Sequence, residues 1–350
     1  MENSPASAET APETAAETAT APADSDTSRL ADILGDDLVA TENVLQNELR
    51  SHIAQIHSIA SHLTRHGGKR LRPLLTLAAA RLSDAPPREM HRVHKLAAAV
   101  ELLHSATLLH DDVVDDAKLR RGRASANRVW GNKSSVLTGD FLLARAFALM
   151  VAADSKPALE ILSNAATVVA NGEMLGLLAQ ARTDLTREEI FEVLSCKTAR
   201  LFSAATEAGA CLHADARCRA GLAEFGFNIG LAFQLVDDVL DYEVSAKLMG
   251  KSPGDDLRER RMTLPVWIAF QDGDGDERDF WVRTIERGEF RPGDFGRARG
   301  ILRGHGALER VRGEAAGYLR EASVHLGGYG ASPLRDALES LLRVNAARIN

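Results

Sequence analysis

Residues 96–116 read LAAAVELLHSATLLHDDVVDD, an apolar segment that ends in four aspartates. The alanine and leucine residues before the acids are typical of a buried helix. Asp111 and Asp115 stand four positions apart in this stretch, so on a helix their Cβ atoms lie about 5–6 Å from each other on one face. Two carboxylates at this distance repel by a few kcal/mol at an effective dielectric constant of about 20. The stretch therefore predicts a helix whose end binds a cation.

A second acidic cluster has the same form. Residues 225–242 read FGFNIGLAFQLVDDVLDY, and Asp237 and Asp241 repeat the four-residue spacing at the end of a mostly apolar helix. A single DDxxD cluster is usually a solvated helix end, but two at the ends of buried helices are far rarer by accident. Oxygen ligands without His or Cys favour magnesium, whose coordination is usually completed by substrate phosphates. We expect a shared magnesium and diphosphate site between the two clusters.

The rest of the chain favours an all-α fold. Aromatic residues make up only 5% of the sequence, and from Arg29 onward apolar residues recur every three or four positions. Thr186 and Glu189 form a capping box that predicts the start of one helix. The predicted helices cover residues 30–65, 69–82, 88–114, 134–153, 157–181, 187–210, 217–243, 263–271, 293–303, 307–326 and 333–347.

The first 28 residues differ in composition from the rest. They are rich in Ala, Thr, Pro, Ser and Glu and contain six acids but no Lys or Arg, so they cannot bury enough apolar surface to offset the entropy of ordering. We expect residues 1–28 to be a disordered acidic tail and residues 29–350 to form a single large helical bundle around a central cavity. The tail supplies six of the formal net charge of -7. The nearly neutral remainder gives no indication of nucleic-acid binding.

Several features predict a soluble cytoplasmic protein. The N-terminus lacks a basic region followed by an apolar one. The longest apolar candidate for a membrane span, residues 136–153, contains Asp140 and Arg145 and falls short of the roughly 18 uninterrupted apolar residues that a span requires. The three cysteines include no CxxC pair, which is typical of free thiols in a reducing compartment.

Basic residues accompany the acidic clusters. Residues 67–73, GGKRLRP, place Lys69, Arg70 and Arg72 at the start of a helix after a double glycine, an arrangement suited to a diphosphate. Residues 119–123, LRRGR, follow the first acidic cluster closely. A metal-bridged diphosphate requires carboxylates that hold the metal ions and arginines that hold the outer oxygens.

Together these motifs resemble one family, the trans-isoprenyl diphosphate synthases, also called polyprenyl synthetases. The resemblance extends from about residue 35 to the C-terminus, and the ordered set of motifs is highly specific although each motif alone is modest. The motifs are, in order, GGKRLRP, ELLHSATLLHDDVVDD, LRRGRAS, Gly172-Glu173, SCKTA, FQLVDDVLDY and GKSPGDDLRERRMTLP. The resemblance implies the isoprenoid synthase type I fold and an enzyme that adds isopentenyl diphosphate to an allylic diphosphate.

The resemblance also implies roles for individual residues. The residues that would hold three magnesium ions on the allylic diphosphate are Asp111, Asp115 and Asp237, assisted by Asp112 and Asp241. The residues that would contact the allylic diphosphate are Arg120, Lys197, Thr198, Gln234 and Lys251. The residues that would bind isopentenyl diphosphate are Lys69, Arg72, His104 and Arg121, with Arg70 in the same motif. The catalytic set would be Asp111, Asp115, Asp237, Lys197 and Arg120.

Lys197 and His104 are supported mainly by the resemblance, because a lone lysine on an amphipathic helix is usually a surface residue and a lone histidine usually lies in a core. Two positions depart from the family pattern. Arg261 stands where the family usually has lysine, which keeps the charge but changes its geometry. Gly176 stands where the family commonly has glutamine. Neither departure removes a metal ligand, so we expect an active enzyme.

The residues before Asp111 predict the length of the product. In the family, a bulky aromatic residue four or five positions upstream closes the pocket floor of short-chain enzymes, and here those positions are Thr107 and Ala106, with Leu103 deeper. Helical geometry places Thr107 one turn below Asp111, whereas Ala106 is supported by the family alone. A lined tunnel gains about 0.8 kcal/mol per buried CH2. We expect a product of about C40 to C50, made from farnesyl diphosphate for a quinone side chain such as that of ubiquinone.

The family is usually homodimeric, so we expect a homodimer, with peripheral membrane contact when the product is released. Three alternatives remain open. A shorter-chain farnesyl or geranylgeranyl diphosphate synthase would share every motif. A class I terpene cyclase would not need GGKRLRP and would usually carry Asn and Ser or Thr in its second metal motif. A non-catalytic subunit of a hetero-oligomeric synthase would tend to lose one acidic cluster, and this chain has both.

Overall fold

The computed structural model describes residues 25–64, 68–120, 122–243 and 254–347. These residues are almost entirely helical, which confirms the all-α prediction. The exception is a small antiparallel hairpin in which β1 (Leu119–Arg120) pairs with β2 (Arg123–Ala124).

The helices are α1 (Ser25–Ile33), α2 (Gly35–Glu48), α3 (Ala54–Thr64), α4 (Leu71–Leu82), α5 (Met90–Val114), α6 (Ala126–Trp130), α7 (Asn132–Ala152), α8 (Lys156–Ala179), α9 (Arg187–Leu194), α10 (Arg200–Ala210), α11 (Ala216–Glu243), α12 (Asp255–Arg258), α13 (Leu264–Asp272), α14 (Gly275–Trp281), α15 (Asp294–Gly304), α16 (Ala307–Leu326) and α17 (Pro333–Ala347). A 3-10 turn (Pro87–Glu89) precedes α5. Two π-helical segments, Ser195–Ala199 and Val282–Glu286, follow α9 and α14.

Most predicted helices agree with the structure to within two residues, and those over 307–326 and 333–347 match at both ends. The prediction of one helix over residues 30–65 is wrong, because the chain breaks before Gly35 and again after Leu49 to form α1, α2 and α3. The short helices α6, α12 and α14 were not predicted, since a helix of one or two turns contains too few residues for its apolar period to be recognised.

The boundary of the predicted tail also differs. Helix α1 begins at Ser25, so the helical region starts before residue 29. Residues 1–24, which carry most of the predicted disordered segment, lie outside the described residues.

Two long helices bring the acidic clusters to the site. Helix α5 packs along α7 and ends in the first cluster, whereas α11 packs against α10 and α16 and ends in the second. Helix α8 packs against α10 and against the π-helical segment Ser195–Ala199, which lies between the two acidic helices. Helix α11 can approach the π-helical segment closely because residue 230 is glycine. A Cβ atom at Gly230 would lie 2.6 Å from Ala199 Cα.

Helices α7 and α8 carry apolar surface that no described part of this chain covers. Both are long and apolar enough to span a membrane by length and composition, with 39% and 22% of their most apolar windows buried. Neither helix is an uninterrupted apolar run, because α7 contains Asp140 and Arg145 and α8 contains Glu160 and Glu173. The inner side of α7 packs in the core through Leu142, Ala146 and Leu149. The exposed large apolar residues of the two helices are Val136, Leu137, Val151, Met174, Leu177 and Leu178.

Candidate active site

A cavity of about 910 Å³, open to solvent, lies between α5, α8, α9, α11 and the loop before α13. Its polar lining consists of Asp115, Glu173, Lys197, Thr198, Gln234, Asp238, Asp256 and Arg261. Its apolar lining includes Val114, Leu177, Leu185, Ile190, Val193, Leu194 and Met262. Residues from the ends of both acidic helices thus face the same space, next to an apolar wall.

The first acidic cluster has an unusually basic carboxyl group. Burial, together with the nearby charges of Glu173 and Asp115, raises the pKa of Asp111 to about 7, although Lys197 and Arg120 oppose the shift. Negative charge therefore accumulates here beyond what the neighbouring cations compensate. A divalent cation would restore the ionised form of such a group.

Asp112 serves the scaffold instead of the cavity. Its side chain is only 1% exposed, and its Oδ1 accepts a hydrogen bond of 2.7 Å from Arg120 Nε. Its backbone oxygen accepts a further bond of 2.8 Å from Asn127 Nδ2. These contacts tie the end of α5 to the hairpin and to α6. These contacts engage Oδ1 and the backbone oxygen, and the assistance of Asp112 in metal binding stays a prediction.

Asp241 is likewise held by the backbone. Its Oδ1 accepts the N–H groups of Gly254 and Asp255 at 3.2 and 3.1 Å, and its Oδ2 accepts that of Asp256 at 3.1 Å. The carboxylate thus satisfies the N-terminus of α12 and fixes the chain where it returns to the cavity. Asp241 thus has a scaffold role, and its assistance to a metal ion stays a prediction.

Asp238 is a site residue that sequence reasoning missed. Asp237 is exposed, whereas Asp238 is 4% exposed and lines the cavity. Gln234 Nε2 donates to Asp238 Oδ1 at 2.9 Å, while the buried Oδ2 has no hydrogen-bond partner among the described residues. Burial, with the charge of Asp256, raises the pKa of Asp238 well above its usual value. A buried oxygen without a partner is the kind of ligand that a bound cation satisfies.

The π-helical segment Ser195–Ala199 brings two predicted residues into the cavity. Lys197 Nζ lies 2.6 Å from Glu173 Oε2, and Thr198 Oγ1 donates to Gln234 Oε1 at 2.9 Å. A π-helical turn widens the helix locally and is frequent at functional sites. Both neighbouring residues line the cavity here, although they are adjacent in sequence.

Gly176, one of the two departures from the family pattern, borders the same cavity. A Cβ atom at this position would lie 3.3 Å from Lys197 Cδ and 3.5 Å from Lys197 Nζ. The missing side chain thus leaves room for the lysine to lie against α8 and reach Glu173.

The basic motif before α4 contacts α10, the helix that follows the π-helical segment. The Arg72 guanidinium lies over the Phe202 ring at 4.3 Å, and Phe202 follows Thr198 by one helical turn on the same chain segment. Lys69 is exposed and His104 is half-buried, and neither lines the cavity described above.

The structure does not support a substrate contact for Arg70. Its guanidinium pairs with Glu101 at 2.7 Å and with Glu42 at 3.1 Å, and it also donates to the Thr64 carbonyl at 3.1 Å. The backbone of Arg70 is left-handed, with φ of 47°, which turns the side chain inward, away from the direction of Lys69. Arg70 therefore joins α2, α3 and α5 beneath the basic motif.

The residues present fit magnesium held jointly with a diphosphate. In the part of the chain that the structure describes, no three His, Cys, Asp or Glu side chains lie close enough together to hold an ion by themselves. The potential ligands at the cavity are carboxylate oxygens. Magnesium commonly takes only one or two carboxylates and completes its coordination with substrate phosphates and water.

The remaining predicted residues are less closely tied to the cavity. Arg121 and Lys251 lie outside the described residues. Ala106 and Leu103 are 2% and 3% exposed within the apolar cluster that α5 shares with α7. Thr107 is half-buried, with its Oγ1 donating to the His104 carbonyl at 2.8 Å.

Comparisons with known proteins show which family the chain belongs to. Residues 53–299 match the family model for polyprenyl synthetase. The all-trans-nonaprenyl-diphosphate synthase (geranyl-diphosphate specific) of Rhodobacter capsulatus is 38% identical over 313 residues, 89% of this chain and 95% of that protein. The octaprenyl diphosphate synthase of Escherichia coli is 36% identical over 91% of this chain and 98% of its own length. The crystal structure of a polyprenyl synthase from Caulobacter crescentus, in complex with calcium and isoprenyl diphosphate, is similar with a TM-score of 0.88 and 44% identity, covering 93% of this chain and 98% of that one.

The buried position of Arg70 predicts a role in stability. We expect Arg70→Met to lower the free energy of unfolding by about 3–5 kcal/mol, because it leaves the buried Glu101 carboxylate without its cation. Urea denaturation followed by circular dichroism measures this change. The double variant Arg70→Met/Glu101→Gln should recover more than half of the loss. Equal stability of Arg70→Met and the wild-type chain would contradict the assignment.

Proposed function

Since this chain belongs to the polyprenyl synthetase family and is a trans-prenyltransferase, we propose that it makes a long all-trans polyprenyl diphosphate of about C40 to C50. Prenyl synthases of this family act on isopentenyl diphosphate and an allylic diphosphate. The proposed allylic starter is farnesyl diphosphate. The proposed setting is the cytoplasm, where the product would supply a quinone side chain such as that of ubiquinone.

The observation that carries this proposal is the position of both acidic helices at one cavity. Asp115 from α5 and Asp238 from α11 line it, and Arg261 lies 2.8 Å from Asp115 and 4.0 Å from Asp256. Acids from two distant parts of the sequence thus lie within 4.0 Å of the same guanidinium. A partner subunit without a second acidic cluster would not require this arrangement, and a terpene cyclase would usually present Asn and Ser or Thr on the second side.

Family members use magnesium, and we propose that three ions bind between the clusters with the allylic diphosphate. The carboxylates assigned to them are Asp111, Asp115 and Asp237, with Asp238 added because of its buried oxygen at the cavity. Bound there, magnesium would neutralise the diphosphate and favour its departure. The carboxylates alone would bind a cation weakly, and the diphosphate would complete its coordination.

The side chains of this enzyme have distinct tasks in the proposed reaction. Lys197 and Arg120 would bind the allylic diphosphate oxygens and stabilise the negative charge that develops as the carbon–oxygen bond breaks. The apolar wall formed by residues such as Val193 and Leu194 would exclude water from the allylic carbocation. The double bond of isopentenyl diphosphate then attacks the cation, and the released diphosphate takes the proton.

Small side chains support a long product. Ala106 and Thr107 precede Asp111 where a short-chain enzyme of this family would carry a bulky aromatic residue, and Ala106 lies in an apolar cluster with Ala146 and Ala205. The relatives from Rhodobacter capsulatus and Escherichia coli carry the names nonaprenyl and octaprenyl diphosphate synthase. Both names denote long products, so they favour this reading over a farnesyl or geranylgeranyl diphosphate synthase.

The uncovered faces of α7 and α8 support a homodimer. Leu137 and Leu178 are 65% and 64% exposed, an unusual degree for leucines on adjoining helices. Burial of apolar area contributes about 25 cal/mol per Å² to the free energy of association. Contact with the same face of a second chain would therefore be favourable. We propose that two chains associate through these helices.

The activity is tested with the purified chain alone. Incubated with farnesyl diphosphate, isopentenyl diphosphate and magnesium, it should yield a product of about C40 to C50 by mass spectrometry. We expect Asp115→Asn to lower kcat by about 100-fold or more, since it removes a ligand of the magnesium that would stabilise the departing diphosphate. Asp116→Asn is the matched control, because Asp116 is 73% exposed and pairs with Arg128 outside the cavity.

Three outcomes would contradict the proposal. A product that stops at C15 or C20 would refute the long-chain assignment. Turnover of the allylic diphosphate without isopentenyl diphosphate would indicate a cyclase. An inactive but folded and dimeric chain would indicate a non-catalytic subunit.

Product length provides a second prediction. We expect Ala106→Phe to shorten the main product by at least one five-carbon unit, because the ring fills space in the apolar cluster beside α5. Mass spectrometry of the products measures the change. Ala220→Phe, at an exposed position near the start of α11, is the control and should leave the length unchanged. An unchanged length in Ala106→Phe would show that the floor lies elsewhere.

Dimer formation provides a third prediction. We expect Leu178→Glu to convert the dimer into a monomer of half the mass, because it places charge at the centre of the apolar face. Sedimentation velocity measures the mass. Val324→Glu, a similarly exposed apolar position (68%) on α16, should remain dimeric. A wild-type chain that sediments as a monomer would rule out the proposed interface.

A further inference from the structure

Arg261 occupies a central place among the carboxylates of the site. Its guanidinium lies 2.8 Å from Asp115, 2.9 Å from Glu259 and 4.0 Å from Asp256. Asp115 belongs to the first acidic cluster, whereas Asp256 follows the second and adds to the electrostatic field at Asp238. A single cation thus connects the two acidic sides of the cavity.

The loop that carries Arg261 is fixed by several neighbours. Gln180 Nε2 donates to the Glu259 carbonyl at 2.7 Å, and the Ala181 N–H donates to the Arg260 carbonyl at 3.0 Å. The Arg260 guanidinium in turn donates to the Ile285 carbonyl at 2.7 Å. The Arg261 N–H donates to the Asp256 carbonyl at 2.9 Å. These hydrogen bonds therefore fix the backbone from which the Arg261 guanidinium extends.

The negative charge around Arg261 is substantial even with the guanidinium present. Burial, with the charges of Asp115 and Asp256, raises the pKa of Glu259 to about 7 against the opposing effect of Arg261. Removal of the guanidinium would leave Asp115, Asp256 and Glu259 facing one another without this cation. Such a group of carboxylates requires a positive charge from some source.

We infer that Arg261 acts as an internal counter-cation of the metal-free enzyme, in which it joins the two acidic sides through Asp115 and Asp256. Magnesium can then bind Asp115 only when the ion pair between Asp115 and Arg261 breaks. This inference rests on the proposed function, because it assigns Asp115 to the metal. The guanidinium thus offsets the repulsion between these carboxylates and weakens the binding of a divalent cation. Arg261 is in this sense a positioning residue.

The guanidinium is suited to this role in a way that an ammonium is not. A planar fork of N–H donors can contact two carboxylates at once, whereas lysine presents a compact charge on a flexible stem. Arg261→Lys therefore keeps the net charge and removes the bridge. Arg261→Gln removes both the charge and the bridge.

Binding of Mn2+ to the metal-free enzyme tests the inference without turnover. Free Mn2+ is measured by electron paramagnetic resonance as each protein is titrated, in the absence of any diphosphate. We expect Arg261→Gln to lower the apparent dissociation constant by about 5-fold or more, the scale of an ordinary coupling between two sites, and Arg261→Lys to lower it by a smaller factor. Arg258→Gln is the matched control, because Arg258 lies in the same loop region but pairs with Asp255 at 49% exposure.

A second readout is the melting temperature. In EDTA we expect Arg261→Gln to melt below the wild-type chain, and addition of Mn2+ should raise its melting temperature more than that of the wild type. The inference is overturned if both Arg261 variants bind Mn2+ as the wild type does. It is also overturned if Arg258→Gln gains as much affinity as Arg261→Gln, since net charge alone would then explain the effect.

The same titration separates this inference from the proposed function. Asp115→Asn added to Arg261→Gln should abolish the gain in Mn2+ affinity. If Mn2+ binding depends on Asp115 but not on Arg261, the counter-cation fails while the metal site stands. If Mn2+ binding is indifferent to Asp115, the assignment of the metal site fails, and the inference fails with it.

Discussion

The repulsion between carboxylates at the ends of α5 and α11 is the constraint on which the rest of the site depends. Burial adds a desolvation cost to each charge, which is the main reason that the pKa of Asp111 rises to about 7 and that of Asp238 well above its usual range. Helix α10 packs against both acidic helices, and Asp115 and Asp238 line one cavity. A fold that concentrates negative charge in this way must be offset by cations, whether from the chain or from solution.

Each acidic cluster divides its work between scaffold and cavity. In the first, Asp112 is buried against Arg120 while Asp115 lines the cavity. In the second, Asp241 accepts three backbone N–H groups of the returning chain while Asp238 lines the cavity. The scaffold carboxylates fix the helix ends and the loops that carry Arg120 and Arg261. The spacing of the acids in the sequence therefore indicates the two clusters but does not tell which carboxylates belong to the scaffold and which line the cavity.

Features with a strong local pattern could be predicted from the sequence. The long helices α5 and α11 follow from their apolar periods, and the capping box of Thr186 and Glu189 starts α9 as expected, with both of its hydrogen bonds present. The pairing of Arg70 with Glu42 and Glu101 could not be predicted, because it joins three segments that are distant in sequence. The role of Asp238 could not be predicted either, because it depends on the burial of this side chain in the folded protein. The four-residue spacing in the sequence predicted Asp237 and Asp241 as metal ligands instead.

The charge balance of the cavity explains why a metal-assisted mechanism suits it. Among the side chains that line the cavity, the acids Asp115, Glu173, Asp238 and Asp256 outnumber the bases Lys197 and Arg261. A diphosphate is itself an anion, so this surface would repel it in the absence of further positive charge. Divalent cations reverse the sign of the local field and give both the carboxylates and the phosphates a common partner. Affinity for the diphosphate and affinity for the metal are therefore coupled, and neither ligand alone matches the charge of the site.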